Sequence, residues 1–432
     1  MVQDERMTGP LANWAGNITF GASSVSRPGS VAELQQVVAT SPRVRALGTG
    51  HSFSDVADTG GVLVSVAGLP RVLELDRDRA QVTVSAGLRY GELASWLDER
   101  GWALANLGSL PHISVAGACA TGTHGSGDGN RCLAAAVAGA ELVTAGGDLV
   151  QARRDDPGPA GQDFAGMPVS LGTLGVLTQV TLDLVPAFTV RQWVYDGIGA
   201  AERAAHLDEI FARGYSVSLF TRWAPDGLSQ AWVKELAVPG EPGTAQDRWL
   251  GGTLAAGPRH PVPGLDPAPC TEQLGRPGPW HLRLPHFRME FTPSAGDELQ
   301  SEYLVPREHS AAALTALGGV AHLVAPVLQI SELRTVAADG LWLSPAYQRP
   351  SLALHFTWIP DARAVAPAVT AVQDVLAPFG ARPHWGKVFS TPAATVAGLY
   401  PRLPAFRRLR RHYDPGGKFG NDFTGRYIGM DC

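Results

Sequence analysis

The sequence predicts an α+β protein in two unlike parts. Strands and helices alternate as far as Pro186. A cleanly alternating strand ends at that proline. Beyond it come strands of antiparallel type, interrupted by a long stretch thick with glycine and proline.

Val31 to Ala39 follows Gly29-Ser30 and reads as a short helix with Ser30 as its N-cap. Val44-Arg45-Ala46-Leu47 is a short strand that runs into Gly48-Thr49-Gly50. Val62 to Val66 and Gln81 to Ser85 are strands, rich in β-branched residues. Tyr90 to Arg100 has helical spacing through Leu93, Trp96 and Leu97. Ala135 to Ala152 reads as two strands around Gly146-Gly147, a hairpin signal. Val176, Thr178, Val180, Leu182 and Leu184 share one face of a further strand. After Pro186, Arg191 to Tyr195 and Ser216 to Trp223 are antiparallel strands flanking a helix near Ala200 to Arg213. Residues 238 to 285 form a long excursion with no evident role. Val324 to Thr335 and Ser351 to Ile359 are strands, and Ala364 to Leu376 is a helix. The segment Tyr413 to Phe419 is turn chemistry.

Composition narrows the partners. Net charge is −5, which argues against a nucleic-acid or membrane-surface partner, since both want a basic surface. No apolar run approaches the ~20 residues that span a bilayer. The start, Met1 to Arg6, carries acids and lacks an apolar signal core. Cys119, Cys132, Cys270 and Cys432 are scattered, with no CxxC, so a reduced cytoplasmic setting is expected. Nothing demands an oligomer, and a monomer is expected.

Two segments stand out. Gly48-Thr49-Gly50-His51-Ser52-Phe53-Ser54 follows a strand, where glycines let backbone approach a ligand and successive N–H groups can cradle an anion. Alone, the string is more simply a β-turn with a surface histidine. Gly108 to Gly127 is long, small-residued and almost uncharged. Such backbone can lie flat against a large planar or polyphosphate ligand, or it can be a tightly packed buried loop. His124, Cys119 and Cys132 match no zinc spacing, so no metal is expected.

A second constellation lies downstream. In the strand-like Gln329 to Arg334, period two puts Glu332 and Arg334 on one face, about 7 Å apart. Opposite charges there are costly unless they serve each other or a ligand, so a structural ion pair stays open. In Leu352 to Thr357, the face of Ala353, His355 and Thr357 is the polar one. His355 is either a ligand-facing group or a satisfied sheet histidine. Lys387, beside Trp385 and Gly386, is one of only three lysines, with Lys234 and Lys418. A lysine kept among so many arginines points to a need for a compact, tunable ammonium.

The two glycine-rich segments resemble the FAD-binding domain of the vanillyl-alcohol-oxidase-type flavoproteins. The likeness is greatest to the alditol oxidases, with the aldonolactone oxidases as near relatives. In that family a histidine at the Gly-x-x-His-Ser position carries the flavin covalently. His51 matches it, in a motif that here reads Gly-Thr-Gly-His-Ser. Gly172-Thr173-Leu174-Gly175-Val176, Glu302 to Glu308 and Asp414 to Phe419 extend the resemblance over nearly the whole chain.

The resemblance implies a FAD domain of two α/β subdomains (1–186) and a substrate domain with a helix-flanked antiparallel sheet (187–390). A last segment (391–432) returns to the FAD domain. It implies FAD linked through His51 and held by Gly48, Thr49, Gly50, Ser52 and Phe53. Ser109, Ser114, Gly117, Thr121 and Val176 complete that set. A neutral imidazole suits such a link, since its unperturbed pKa of ~6.5 leaves much of it uncharged at pH 7.

The same resemblance implies a polyol pocket of Ser109, Glu332, Arg334, His355 and Lys387. Donors and acceptors alternate in that set, as a polyol requires. The implied reaction is hydride transfer from the C1 carbinol of xylitol, sorbitol or a related polyol to flavin N5. It gives the aldose, and O2 is reduced to H2O2. Lys387 and Arg334 are the implied catalytic pair, easing loss of the hydroxyl proton. Gly108 is the implied oxygen gate, left open by having no side chain. The runner-up is an aldonolactone oxidase or dehydrogenase of the gulonolactone type. A flavin- or metal-binding protein without turnover fits poorly, because a mere binding site need not gather so many titratable groups.

Overall fold

Sheets order the chain in the computed structural model, which describes residues 11–224, 229–238, 240–291 and 297–429. Met1 to Arg6 and Cys432 lie outside these residues. The first sheet is parallel: Val62–Ser65 lies between Ser24–Ser26 and Val44–Leu47. The helix Val31–Thr40 makes the crossover, and its Ser30 cap accepts a hydrogen bond from Glu33 N. Leu34 and Val38 of this helix pack on Val44 and Val64 of the sheet.

The second sheet is antiparallel, in the order Leu73–Asp76, Gln81–Ser85, Val176–Asp183, Val137–Val143, Leu149–Arg153. The last two strands pair around Gly146-Gly147. Val185–Pro186 then pairs with Trp102–Ala103, and at Thr189 the chain enters the largest sheet. Its six long strands run in the order Thr189–Ile198, Ser229–Leu236, Ser216–Thr221, Leu328–Val336, Ser351–Trp358, Leu299–Pro306, each antiparallel to its neighbours. The whole is an α+β fold.

Several expectations need correction. Ser229–Leu236 sits between the two strands expected to flank one helix, and that helix breaks at His206 into Ala200–Ala205 and Leu207–Ala212. Residues 324 to 327 are helical, not strand, because Pro326 opens a helical turn at Ala325–Val327; the strand begins at Leu328. Leu299–Pro306, which periodicity did not single out, is a full strand.

Cross-strand register sets the site. Glu302, His355, Glu332 and Phe220 form one row across four strands. With period two, Val217, Leu219, Leu333, Leu354, Phe356 and Tyr303 fall on the other face. There they form a core with the helices Leu207–Ala212, Ser310–Gly319 and Ala362–Leu376. The polar face of the same strands turns toward the glycine-rich segments. Among the described residues no single helix is long and apolar enough to cross a membrane. Cys119, Cys132 and Cys270 are buried free thiols.

The last segment returns to the parallel sheet. Val44 N donates to Lys418 O at 3.0 Å. Buried Arg45 donates to four carbonyls: Phe419 at 2.6 Å, Leu171 at 2.8 Å, Gly172 at 3.3 Å, and Val56. Asn421 Nδ2 donates to the carbonyls of Asp55 and Asp58, each at 2.9 Å. Replacing Arg45 by Met leaves those carbonyls buried without their donor, at about 1–3 kcal/mol for an unsatisfied group. A loss of about 3 kcal/mol or more is expected, read as a lower melting temperature. Arg45→Lys should not restore it, because one ammonium cannot span the fork. Unchanged melting of both variants would show that this clasp contributes nothing.

Candidate active site

A cavity of about 500 Å³ runs between the glycine-rich segments and the polar face of the large sheet. The turn Gly48 to Phe53 lines it. Gly50 has φ +70°, which favours glycine. A Cβ on Gly48 would meet Ser114 Oγ at 2.5 Å, so any larger residue there would turn that hydroxyl aside. Thr49 Oγ1 accepts from Ser114 N at 3.3 Å, and Thr121 Oγ1 donates to Gly117 O at 3.2 Å. Phe53 N donates to Gly386 O at 2.8 Å, tying the turn to the Lys387 segment. Trp14 stacks on the His51 ring, centroids 5.2 Å apart. His51 Nδ1 is buried without a partner.

The large sheet supplies the charges. Arg334 Nη2 donates to Glu302 Oε1 at 2.5 Å, and its Nε lies 3.6 Å from Glu332 Oε2. Arg334 Nη1 reaches Ser109 Oγ at 3.4 Å. His124 Nε2 lies 3.3 Å from Glu302 Oε1. Gln300 Nε2 donates to Glu298, which leaves Gln300 Oε1 as an acceptor. That oxygen receives Lys387 Nζ, and His355 Nε2 at 3.1 Å. His355 therefore carries its hydrogen on Nε2, and its buried Nδ1 has no partner. Lys387 also sits 5.0 Å over the Phe53 ring.

The excursion is the third wall. His260, Val262 and Leu265 line the cavity, with His286 and Phe287 just beyond the excursion. Ser109 O accepts from His286 N at 3.1 Å and Phe287 N at 3.3 Å. His286 Nε2 meets Glu332 Oε1 at 2.7 Å, and its Nδ1 lies 3.2 Å from buried Lys234 Nζ.

The structure thus brings Ser109, Glu332, Arg334, His355 and Lys387 into one cavity with Gly108 and the turn from Gly48 to Phe53. Ser114, Gly117 and Thr121 line it as well. Val176 does not: its side chain packs in the core beside Val143 and Val44, and Gly175 and Leu177 face the cavity instead. Gln300, Glu302, His286 and Lys234 were not singled out as site residues. For the first two the signal was available, because Gln300 and Glu302 alternate with Leu299, Ser301 and Tyr303 at period two. The residues present fit FAD. The cavity is lined by Gly48, Gly117, Gly172 and Gly175, where no side chain intervenes, and by His51, whose buried Nδ1 is unpartnered.

Burial dominates the titration of these groups. It draws Lys387 down from 10.5 to about 8, against the pull of Glu302, and Lys234 to about 7, against Glu332. Burial alone would raise Glu302 and Glu332, but Arg334 beside both holds them below the usual carboxylate range. His51 and His286 fall to about 4, by burial and then by Lys387 and Lys234 respectively. His355 and His384 fall to about 3 through burial. These four histidines are neutral in the fold, whereas the unfolded chain protonates near 6.5. Their contribution is complete above pH 6.5 and shrinks as pH falls toward 4, where the unfolded state binds more protons. Thermal melts from pH 7 to 4.5 should show a steady fall in melting temperature. A flat profile would mean that these rings titrate normally.

Comparison with known proteins places the chain. Residues 22–153 match the family described as FAD binding domain, and residues 297–427 match D-arabinono-1,4-lactone oxidase. The alditol oxidase of a Streptomyces species is 49% identical over 96% of this chain and 98% of its own. The L-gulono-1,4-lactone dehydrogenase of Mycobacterium tuberculosis is 31% identical over 97% of this chain and 99% of its own. Among solved structures, a solvent-stable cholesterol oxidase superposes with a TM-score of 0.77 at 16% identity, covering 98% of this chain and 97% of that one. That likeness bears on the fold alone. The chain belongs to the alditol oxidase branch of the vanillyl-alcohol-oxidase-type FAD flavoproteins.

Proposed function

We propose that this enzyme oxidises xylitol, sorbitol and related alditols at the C1 primary alcohol, yielding the aldose and H2O2 from O2. The observation that carries the reading is the mixed set of hydrogen-bonding groups on one sheet face. Glu332 and His355 Nδ1 are acceptors, and Arg334 and Lys387 are donors, all lining one cavity with Ser109. The 49% identity to an alditol oxidase supports polyols over lactones.

Bound FAD supplies the acceptor for the two electrons of the alcohol. The protein's part is to hold the alcohol and ease its proton away. Lys387, held near pKa 8, places an ammonium where a hydroxyl oxygen gains charge as its proton leaves. Arg334 cannot move to follow, because Glu302 holds it. His355 Nδ1 accepts a hydrogen bond from the substrate hydroxyl and so fixes its direction. His51 is kept neutral by burial and by Lys387, which is the state that a covalent link to the cofactor needs. Trp14 holds its ring.

Peroxide release in air, with xylitol set against L-gulono-1,4-lactone, tests the reading. Rapid peroxide with xylitol and little with the lactone is expected. Peroxide with the lactone alone would give the second reading, which the match at 297–427 favours. Yellow colour should stay with acid-precipitated protein and be lost from it in His51→Ala; colour that washes out of the unsubstituted protein would exclude the link. At Gly108 an added Cβ would sit 3.6 Å from Thr123 Cγ2 and 3.8 Å from Ile113 Cδ1, ordinary contacts. Gly108→Ala should therefore fold and slow reoxidation by O2 more than reduction by xylitol. Equal slowing of both half-reactions would remove Gly108 as a gate.

A further inference from the structure

We infer that Lys234 and His286 are a positioning pair that fixes Glu332 as a one-oxygen acceptor for a substrate hydroxyl. The inference rests on the reading of this cavity as a polyol site, which His286 lines and Lys234 backs. Lys234 is 1% exposed and is not part of the cavity lining.

An ammonium has three N–H donors and no acceptor. Lys234 Nζ has three acceptors around it: Leu284 O, Pro285 O at 3.1 Å and His286 Nδ1 at 3.2 Å. Every donor is used. His286 Nδ1 must be the bare nitrogen, because ionised Glu332 can only accept and therefore takes the one hydrogen of the neutral ring from Nε2. Its single hydrogen sits on Nε2 and is donated to Glu332 Oε1 at 2.7 Å. Ring rotation would undo this, and two aromatic edges oppose it. Phe220 and Trp232 meet the imidazole at centroid distances of 5.5 and 5.3 Å, both edge-on.

One carboxylate oxygen of Glu332 is thereby committed to the protein. The other, Oε2, has among the described residues Arg334 Nε at 3.6 Å, beyond hydrogen-bond distance. Glu332 lines the cavity. Oε2 is thus an acceptor with capacity to spare, held at a fixed place. A substrate carrying a hydroxyl there completes the set, and one with a methylene leaves the acceptor buried and unpaired.

The test compares the holoenzyme with His286→Leu, Lys234→Met and His286→Gln on xylitol and on pentane-1,5-diol, which lacks the inner hydroxyls. In the Leu and Met variants KM for xylitol should rise about tenfold or more, with KM for the diol and both kcat values little changed. The preference for xylitol over the diol narrows by the same factor. His286→Gln should restore most of it, since its amide can accept from Lys234 and donate to Glu332. Equal losses on both substrates, no loss, or no rescue would overturn the pair. Should a variant fail to fold, 15N resonances of histidine-labelled holoenzyme decide. The signal absent from His286→Gln must report a neutral ring with its hydrogen on Nε2, and a hydrogen on Nδ1 would overturn the inference. If unsubstituted enzyme shows no preference for xylitol over the diol, the polyol reading fails instead, while the resonance still reports on the pair.

Discussion

Arg334 lies between two carboxylates, and the site depends on that arrangement. Glu302 and Glu332 stand on strands either side of Ser351–Trp358, with His355 between them in the same row. Two buried anions so close would repel each other or take up protons. The guanidinium satisfies Glu302 at 2.5 Å and stands 3.6 Å from Glu332. Both acids stay ionised in a place from which water is largely shut out. The clamp thereby turns charges that would destabilise the sheet into fixed acceptors. Fixed dipoles and charges need no rearrangement when charge develops on a reacting group.

Around this clamp the large sheet divides its labour by parity. Odd and even positions of the same strands face opposite ways, so one strand such as Leu328–Val336 gives Leu333 to the core and Glu332 and Arg334 to the cavity. The excursion then covers the polar face. Through Ser109 O it is stitched to the loop that also holds Gly108, so the third wall and the cofactor end cannot shift independently. The three lysines of the chain all serve such fixed points. Lys234 and Lys387 donate within the site, and Lys418 donates to Val38 O at 2.6 Å.

Much of this was legible in the sequence because it follows from local rules. Period two put Glu332 with Arg334 and set His355 on the polar face. Ser30 marked the first helix, and glycine density marked the turn at His51. What was not legible depends on strand order, which local rules do not encode. Ser229–Leu236 slips between two strands that are nearer in sequence, and this carries Lys234 toward His286, 52 positions on. His124 meets Glu302 across a still longer separation. The side chain of Val176 lies in the core for a different reason: its strand borders the cavity, but alternation gives its neighbours Gly175 and Leu177 the side that faces it. Residues 324 to 327 carry β-branched valines that read as strand, and Pro326 between them decided for a helical turn.

The clasp around Arg45 has a consequence for the order of events in the cell. The turn that begins the cofactor end is made early by the ribosome, yet its neighbours Val44, Arg45, Asp55 and Asp58 find their partners at Lys418, Phe419 and Asn421. A nascent chain that has not reached those residues has this wall half built, with backbone groups still open to water. Loading of the flavin onto a finished site is then a step that follows synthesis rather than accompanies it. Chains stalled or clipped before residue 418 would be colourless through lack of a closed wall, even with every glycine and His51 in place.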